Sequence, residues 1–207
     1  MFSYWYIIAA WGIYFTIHSI WASTVFKDWI IKYIPSLKRW YRIIYNIFAI
    51  VLLIPVLWIY KNLPKNDPFF EPVMILKIIG YGGVVAGLYL GKVGFNNYSL
   101  KEFTGFYQLN NHHEFHPTNL NTQSLNGIVR HPLYFAGIVI IWSYFLTNPT
   151  PDLLITNICL TIYLYIGTLF EEKKLIADFG VAYTQYKKEV SMLIPMKWIW
   201  NKLKLKN

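Results

Sequence analysis

Five apolar blocks, separated by shorter polar stretches, run along this chain. They cover Tyr4–Ser23, Ile43–Tyr60, Val73–Leu90, Leu133–Leu146 and Leu153–Phe170. Three of them approach the roughly 20 residues that a helix needs to cross hydrocarbon, and the last two are somewhat shorter. The pattern predicts an all-α integral membrane protein with about five transmembrane helices.

Two prolines, Pro149 and Pro151, separate the last two apolar blocks. Proline disfavours continuation of a helix, because it lacks the backbone N–H and clashes with the preceding turn. The two blocks are therefore expected to form an antiparallel helical hairpin.

Charged residues flank the predicted hairpin at both of its free ends. Arg130 and His131 come just before the first arm, and Glu171 and Glu172 come just after the second. In an antiparallel hairpin these four residues lie at the same membrane face. Cationic or neutral donors then stand opposite two carboxylates, which suits a ligand that carries charges of both signs.

The composition leaves little room for a separate soluble domain. Hydrophobic residues make up 56% of the chain and aromatic residues 19%, whereas only 14% are charged; soluble domains average about 25% charged. We predict a single membrane domain over 1–207. It would comprise three helices and a loop (1–126), the hairpin with its C-terminal cover (127–195), and a basic tail (196–207).

The excess of positive charge is unevenly distributed. Of the 19 Lys and Arg residues, 16 fall on one side of the membrane if five helices alternate: five in 27–42, three in 92–130 and eight after Phe170. Positive charge accumulates on the cytoplasmic side, so we expect the N-terminus outside and the C-terminus in the cytoplasm, in the inner membrane if the protein is bacterial. The basic tail is expected to meet anionic membrane lipids. A nucleic-acid partner is not expected.

The first two predicted helices contain three polar candidates for substrate contact. His18 lies inside the first apolar block, where an ionisable side chain is costly and often functional. A packing role through hydrogen bonds between helices is the alternative. Arg42 and Asn46 share one face of the second helix at its cytoplasmic end. Arg42 could instead be an anchor that extends its charge to the interface.

The polar segment 94–126 is the only long loop and lies on the cytoplasmic side. It contains His112 and His113, which are candidates for substrate contact. The histidine spacing does not match a helical zinc-protease motif, and the chain has only five histidines, so no metal site is predicted.

The chain after Glu172 has a helical pattern of apolar residues. The pattern consists of Leu175, Ile176, Phe179, Tyr183 and Tyr186. Their spacings of three and four predict one face of a cytoplasmic amphipathic helix that covers the hairpin mouth. Upstream, glycines spaced four apart, Gly83, Gly87 and Gly91, predict a close helix–helix contact.

Several of these residues form motifs of a known superfamily. They are Arg130-His131-Pro132-x-Tyr134-x-x-Gly137, then Glu171-Glu172-x-x-Leu175-x-x-x-Phe179-Gly180-x-x-Tyr183-x-x-Tyr186, then Leu193-Ile194-Pro195. Their order and spacing resemble the isoprenylcysteine carboxyl methyltransferase and phospholipid methyltransferase superfamily, although Ser191 stands where that superfamily often has proline. Three further motifs resemble the NnrU and methanethiol S-methyltransferase branch: His18-Ser19-x-x-Ala22-Ser23, Tyr41-Arg42-x-x-x-Asn46 and Ser99-Leu-Lys-Glu-Phe-Thr-Gly105.

The resemblance implies a membrane methyltransferase that binds S-adenosylmethionine at the cytoplasmic end of the last two helices. The implied cofactor positions are Arg130, His131, Pro132, Tyr134, Gly137, Glu171 and Glu172. Arg130 would hold the ligand carboxylate, and Glu171 or Glu172 would hold the amine or the adenosine hydroxyls. Arg130 and Glu172 are the implied catalytic residues together with His18; His18 or a loop histidine would be the base if a thiol acceptor needs one.

The acceptor is expected to be apolar or dissolved in the membrane. It could be a small thiol such as methanethiol, an isoprenylcysteine-like carboxylate or a lipid. Two other functions stay open: an NADPH-dependent sterol-type reductase of the same fold, and a membrane protein without catalysis. The pairing of Arg130 with a glutamate could likewise serve only to tie the hairpin ends together.

Overall fold

The computed structural model describes residues 3–63, 66–96, 99–110 and 119–204, apart from the side chains of Ser3, Glu102 and Asn110. The regular elements within these ranges are all helical. They are α1 (Ser3–Ala22), α2 (Thr24–Tyr33), α3 (Tyr41–Asn62), α4 (Met74–Phe95), α5 (Leu100–Thr104), α6 (Phe106–Asn110), α7 (Pro132–Thr147), α8 (Pro151–Phe179), α9 (Val181–Glu189) and α10 (Met196–Lys204), with 3-10 turns at Pro35–Leu37 and Ser124–Gly127.

Three of the described helices, α3, α4 and α8, are long and apolar enough to cross a membrane. Helix α7 is apolar but has only 16 residues. Helix α1 has 20 residues and carries several Trp and Tyr side chains and His18. The prediction of an all-α membrane protein is confirmed, and the count of five spans stays a prediction.

The chain forms two compact units, each assembled from separate segments. The first contains α1, α2, α3, α5, α6 and residues 150–159 at the start of α8. The second contains α4, α7, residues 160–179 of α8, α9 and α10. The predicted single domain over 1–207 stays a prediction.

In the first unit, α1 packs against α3 through aromatic side chains. Trp21 stacks on Phe48 with ring centroids 4.3 Å apart, and the Tyr41 hydroxyl donates to the Trp21 carbonyl over 2.7 Å. The Ser23 hydroxyl accepts from the Phe26 N–H and so caps the start of α2, which buries no residue. The basic segment after α1 therefore contains a capped helix.

In the second unit, α4 packs against α7 through glycines. A methyl group on Gly80 would lie 2.7 Å from a carbonyl oxygen of α7, and one on Gly87 would lie 3.2 Å from another. Gly83 likewise faces a side chain of α7, whereas a methyl group on Gly91 would make an ordinary contact at 3.8 Å. The predicted close contact is confirmed, with Gly80 rather than Gly91 completing the glycine face.

The last long helix, α8, departs from its predicted bounds at both ends. It begins at Pro151, and the Thr150 hydroxyl accepts from the Leu153 N–H in its first turn. It also continues past Glu171 and Glu172, because Glu, Lys, Leu and Ala favour helix and a run of charges does not end one.

The predicted single amphipathic helix over 175–186 is wrong, because Gly180 interrupts it. The backbone of Gly180 has φ +56°, which suits glycine and ends α8. Helix α9 follows and buries Tyr183 and Tyr186. The predicted tail is helical over α10, which buries none of its own residues.

Candidate functional site

The backbone just before α7 pairs with the segment that follows α9. The Arg130 N–H donates to the Ser191 carbonyl over 2.8 Å, and the His131 N–H donates to the Met192 carbonyl over 3.2 Å. Val129 and Ser191 also form an isolated parallel β-bridge. These bonds fix the backbone from which the Arg130 and His131 side chains project.

The Arg130 side chain connects α8 and α9 to the start of α7. Its Nε donates to Oε1 of Glu172 over 2.6 Å, and Nη2 contacts the same oxygen. Its Nη1 donates to the main-chain carbonyls of Lys187 and Val190. The Arg130 and Glu172 side chains are only 8% and 5% exposed, so this is a buried, charge-assisted pair.

A second cation, Lys187, contacts the other oxygen of Glu172. Its Nζ lies 2.7 Å from Oε2, and 34% of the Lys187 side chain is exposed. Tyr183, one turn earlier in α9, is 1% exposed. Burial, followed by the negative charge of Glu172, raises the pKa of Tyr183 well above its usual value. The phenol beside this pair is therefore neutral.

The ring of His131 lies between the two carboxylates. Its Nδ1 is 3.5 Å from Oε2 of Glu171, and its Nε2 is 3.5 Å from Oε1 of Glu172. The ring is 4% exposed and stacks on Tyr134 at 5.7 Å between centroids. Within the described ranges, Nε2 of His131 has no hydrogen-bond partner. Glu171 is 37% exposed, so its carboxylate is accessible to a ligand. We call Arg130, His131, Glu171, Glu172 and Lys187 the charged cluster.

A cavity of about 340 Å³ adjoins the charged cluster. Glu172 and Lys187 line its polar part, and its wall is completed by Ile166, Leu169, Phe170, Lys173 and Ile176. Phe170 is 66% exposed. The cavity thus joins an exposed apolar face of α8 to the buried carboxylate.

Two other predicted cofactor positions, Pro132 and Gly137, lie on α7. Pro132 is fully buried at the first position of the helix, where a missing N–H costs nothing. Gly137 faces α8, where a methyl group would contact Leu164 at 3.8 Å. Tyr134 lies between them along the helix, against the His131 ring.

Three predicted substrate residues lie in the first unit. Nε2 of His18 is 2.8 Å from the Tyr45 hydroxyl of α3. The Asn46 amide donates to the Phe103 and Thr104 carbonyls, over 3.1 and 3.2 Å, at the end of α5. Arg42 is exposed. In this unit Asn46 thus holds the short helices against α3, and its predicted contact with substrate stays a prediction.

The predicted substrate residues His112 and His113 lie outside the described residues. Within the described part of the chain, no three His, Cys, Asp or Glu residues are grouped so that they could hold a metal ion.

The sequence did not indicate Lys187 or Val190 as part of the site. Tyr186, by contrast, belongs to a motif named above; its hydroxyl donates to the Asn126 carbonyl over 2.6 Å. Lys187 lies in a basic pair with Lys188, and such a pair on a short helix is typical of a solvated surface. The pairing of 129–131 with 191–192 helps to hold α9 against Glu172.

The fold is that of an all-helical integral membrane protein. Its site is a buried cluster of cations and carboxylates near the C-terminal end of α8, the last apolar helix. The family model described as NnrU protein matches residues 6–201, so the chain belongs to the NnrU family. This confirms the resemblance to the NnrU and methanethiol S-methyltransferase branch.

Several curated relatives are named methanethiol S-methyltransferase. Methanethiol S-methyltransferase 1 of Bradyrhizobium diazoefficiens is 32% identical over 188 residues, which cover 87% of this chain and 62% of the relative. Methanethiol S-methyltransferase of Crocosphaera subtropica is 27% identical over 196 residues, 89% of this chain and 71% of the relative. The Mycobacterium tuberculosis protein of that name is 25% identical and is covered over 75% of its length. No solved structure matches the chain.

Proposed function

We propose that this protein is a membrane methyltransferase that transfers a methyl group from S-adenosylmethionine to a small apolar thiol. The relatives named methanethiol S-methyltransferase support both the reaction class and the thiol acceptor. An isoprenylcysteine-like carboxylate or a lipid is the competing acceptor. The reductase alternative has no support among these relatives.

The charged cluster is the observation that carries the proposal. S-adenosylmethionine presents an ammonium, a carboxylate and a sulfonium, so its pocket needs carboxylates and donors together. The residues fit this ligand. Glu171 is accessible, and Nε2 of His131 is a buried polar atom without a described hydrogen bond, 3.5 Å from Oε1 of Glu172. The Arg130 guanidinium lies beside the Glu172 carboxylate and would supply the charge-assisted hydrogen bond to a ligand carboxylate.

The roles of the residues follow from their contacts. Glu171 or Glu172 would hold the amine or the adenosine hydroxyls, and Arg130 would hold the carboxylate while keeping Glu172 in place. Tyr134, stacked on His131, would pack against the adenosine.

The chemistry asks the protein chiefly for alignment and for exclusion of water. The sulfonium supplies a methyl group that its positive charge has already activated. A thiol with a pKa of about 8.5 is partly ionised at neutral pH, so a weak base is enough. His18, whose Nε2 is held by Tyr45, is the candidate for that base. Apolar helices would shield the reacting atoms from water.

We further propose that the chain crosses the inner membrane five times as a single domain, with its C-terminus in the cytoplasm. The excess of Lys and Arg in 27–42, in 92–130 and after Phe170 supports this orientation. Helix α10 would lie at the headgroups, because it exposes Trp198, Trp200 and Leu203 as well as lysines.

The first experiment is calorimetric binding of S-adenosylhomocysteine to the detergent-solubilised protein. We expect micromolar binding that Arg130→Ala and Glu172→Gln abolish, while Lys188→Ala, an exposed charge change in α9, leaves it intact. Acceptor choice would be read from methyl transfer to methanethiol, to a prenylated cysteine and to phosphatidylethanolamine. The methyltransferase proposal is refuted if the folded wild type does not bind S-adenosylhomocysteine, or if NADPH binds instead and quenches the fluorescence of the protein.

A further inference from the structure

The Glu172 carboxylate already has a cation on each of its oxygens. Arg130 contacts Oε1 through Nε and Nη2, and Lys187 contacts Oε2 at 2.7 Å. The Glu172 side chain is 5% exposed, so little of it is left for a further partner. Because the side chain is buried, space for a ligand ammonium at this carboxylate opens when one of the two cations moves away.

The two cations differ in how firmly they are held. Arg130 is 8% exposed and also donates to the carbonyls of Lys187 and Val190. The Lys187 side chain is 34% exposed, and within the described residues its ion pair is the one with Glu172. Moving Arg130 would detach α9 from the site, whereas moving the Lys187 side chain breaks one partly exposed ion pair.

The geometry around Lys187 allows such a movement. Its main chain stays in place, because its carbonyl accepts from Arg130 and also from Nζ of Lys197 over 2.9 Å. Its side chain lines the cavity that also reaches Glu172. Space for an incoming ammonium and space for the departing lysine therefore adjoin the same carboxylate oxygen.

We propose that Lys187 is an exchangeable counter-ion, which occupies Oε2 of Glu172 in the free protein and yields it to the ammonium of the nucleoside ligand. This inference rests on the proposed function, since it takes S-adenosylmethionine and its product as the ligands. Lys187 thereby becomes a residue that sets ligand affinity, because its attraction to Glu172 opposes binding of the amine.

Charge balance agrees with the exchange. Arg130 and Lys187 offset Glu171 and Glu172 in the free protein. When Lys187 turns to solvent, Arg130, Glu171 and Glu172 together carry one net negative charge, which matches the one net positive charge of S-adenosylmethionine. Methyl transfer leaves a thioether product without net charge, so Lys187 regains its attraction to the site. Its return then favours release of the product.

The test compares two ligands on four proteins: the wild type, Lys187→Met, Lys187→Arg and Lys188→Met. S-adenosylhomocysteine carries the ammonium and carboxylate, and 5′-methylthioadenosine has the same thioether nucleoside without them. We expect Lys187→Met to lower the Kd of S-adenosylhomocysteine about three- to fivefold, which corresponds to the free energy of a partly exposed ion pair. The Kd of 5′-methylthioadenosine should not change. Lys187→Arg keeps the competing cation and should bind like the wild type, as should the control Lys188→Met.

A second measurement follows the lysine itself. Acetylation by an N-hydroxysuccinimide ester, read by mass spectrometry, gives the reactivity of Lys187 relative to its neighbour Lys188. We expect the ratio to rise when S-adenosylhomocysteine is added to the wild type, because the exchange frees Nζ. A ratio that falls, together with weaker binding in Lys187→Met, would mean that Lys187 holds the ligand carboxylate and would overturn the inference.

The two proposals fail in different ways. If the folded wild type does not bind S-adenosylhomocysteine, the proposed function fails and the exchange fails with it. If the wild type binds and Lys187→Met binds equally or more weakly, only the exchange is refuted.

Discussion

Replacing Arg130 by methionine removes the guanidinium that joins the start of α7 to α8 and α9, while keeping a side chain of similar length. The change deletes the 2.6 Å bond to Glu172 and leaves the Lys187 and Val190 carbonyls without this donor. Breaking a buried ion pair costs about 3–5 kcal/mol. Lys187 stays on the other oxygen of Glu172, so we expect the lower value, about 3 kcal/mol.

For a chain of this size, about 3 kcal/mol corresponds to a fall in melting temperature of about 6–12 °C. The assay is thermal unfolding in detergent, with Lys188→Met as a control that removes a nearby exposed charge. Adding Glu172→Met to Arg130→Met should recover part of the loss, because the buried carboxylate is then absent. A melting temperature for Arg130→Met that equals that of Lys188→Met would refute a structural role for the pair.

Two further outcomes follow from the second unit. Gly87→Ala should cost about 1–3 kcal/mol of stability, because the new methyl group would lie 2.6 Å from Ile140 of α7. The control Gly82→Ala should be neutral, because nothing lies within 4 Å of its new methyl group. Equal melting temperatures for the two variants would contradict the packing of α4 on α7. Burial and the charge of Glu172 raise the pKa of Tyr183 in the folded protein above its value in the unfolded chain. The contribution of Tyr183 to stability is therefore fully present below about pH 10, the usual pKa of tyrosine, and is lost as pH rises further. The melting temperature of Tyr183→Phe should therefore fall less steeply than that of the wild type between about pH 9 and pH 11, and parallel slopes would exclude this contribution.

Much of the site could be predicted because two simple rules act on its residues. The proline pair before α8 predicts an antiparallel hairpin, and an antiparallel hairpin brings Arg130 and His131 to Glu171 and Glu172. In the structure Arg130 contacts Glu172, and the His131 ring lies 3.5 Å from both Glu171 and Glu172. These rules depend only on local backbone chemistry and on chain direction, both of which can be read from sequence.

The contribution of α9 could not be predicted in the same way. Lys187 reaches Glu172 only because Gly180 ends α8 and because Ser191 pairs with Val129. That pairing joins backbone groups 62 positions apart, and backbone bonds leave no signature in side-chain periodicity. The end of α8 was mispredicted for a related reason, since the charges after Phe170 mark the end of the apolar block and not the end of the helix.

The pairing of Arg130 with later residues also has a consequence for biosynthesis. Arg130 is fixed by main-chain atoms of Lys187, Val190 and Ser191, which the ribosome makes about 60 residues later. The apolar helices can enter the membrane during translation, but the charged cluster cannot close until those residues have emerged. A chain interrupted before Lys187 would carry the apolar segments that insert and lack the atoms that complete the ligand site.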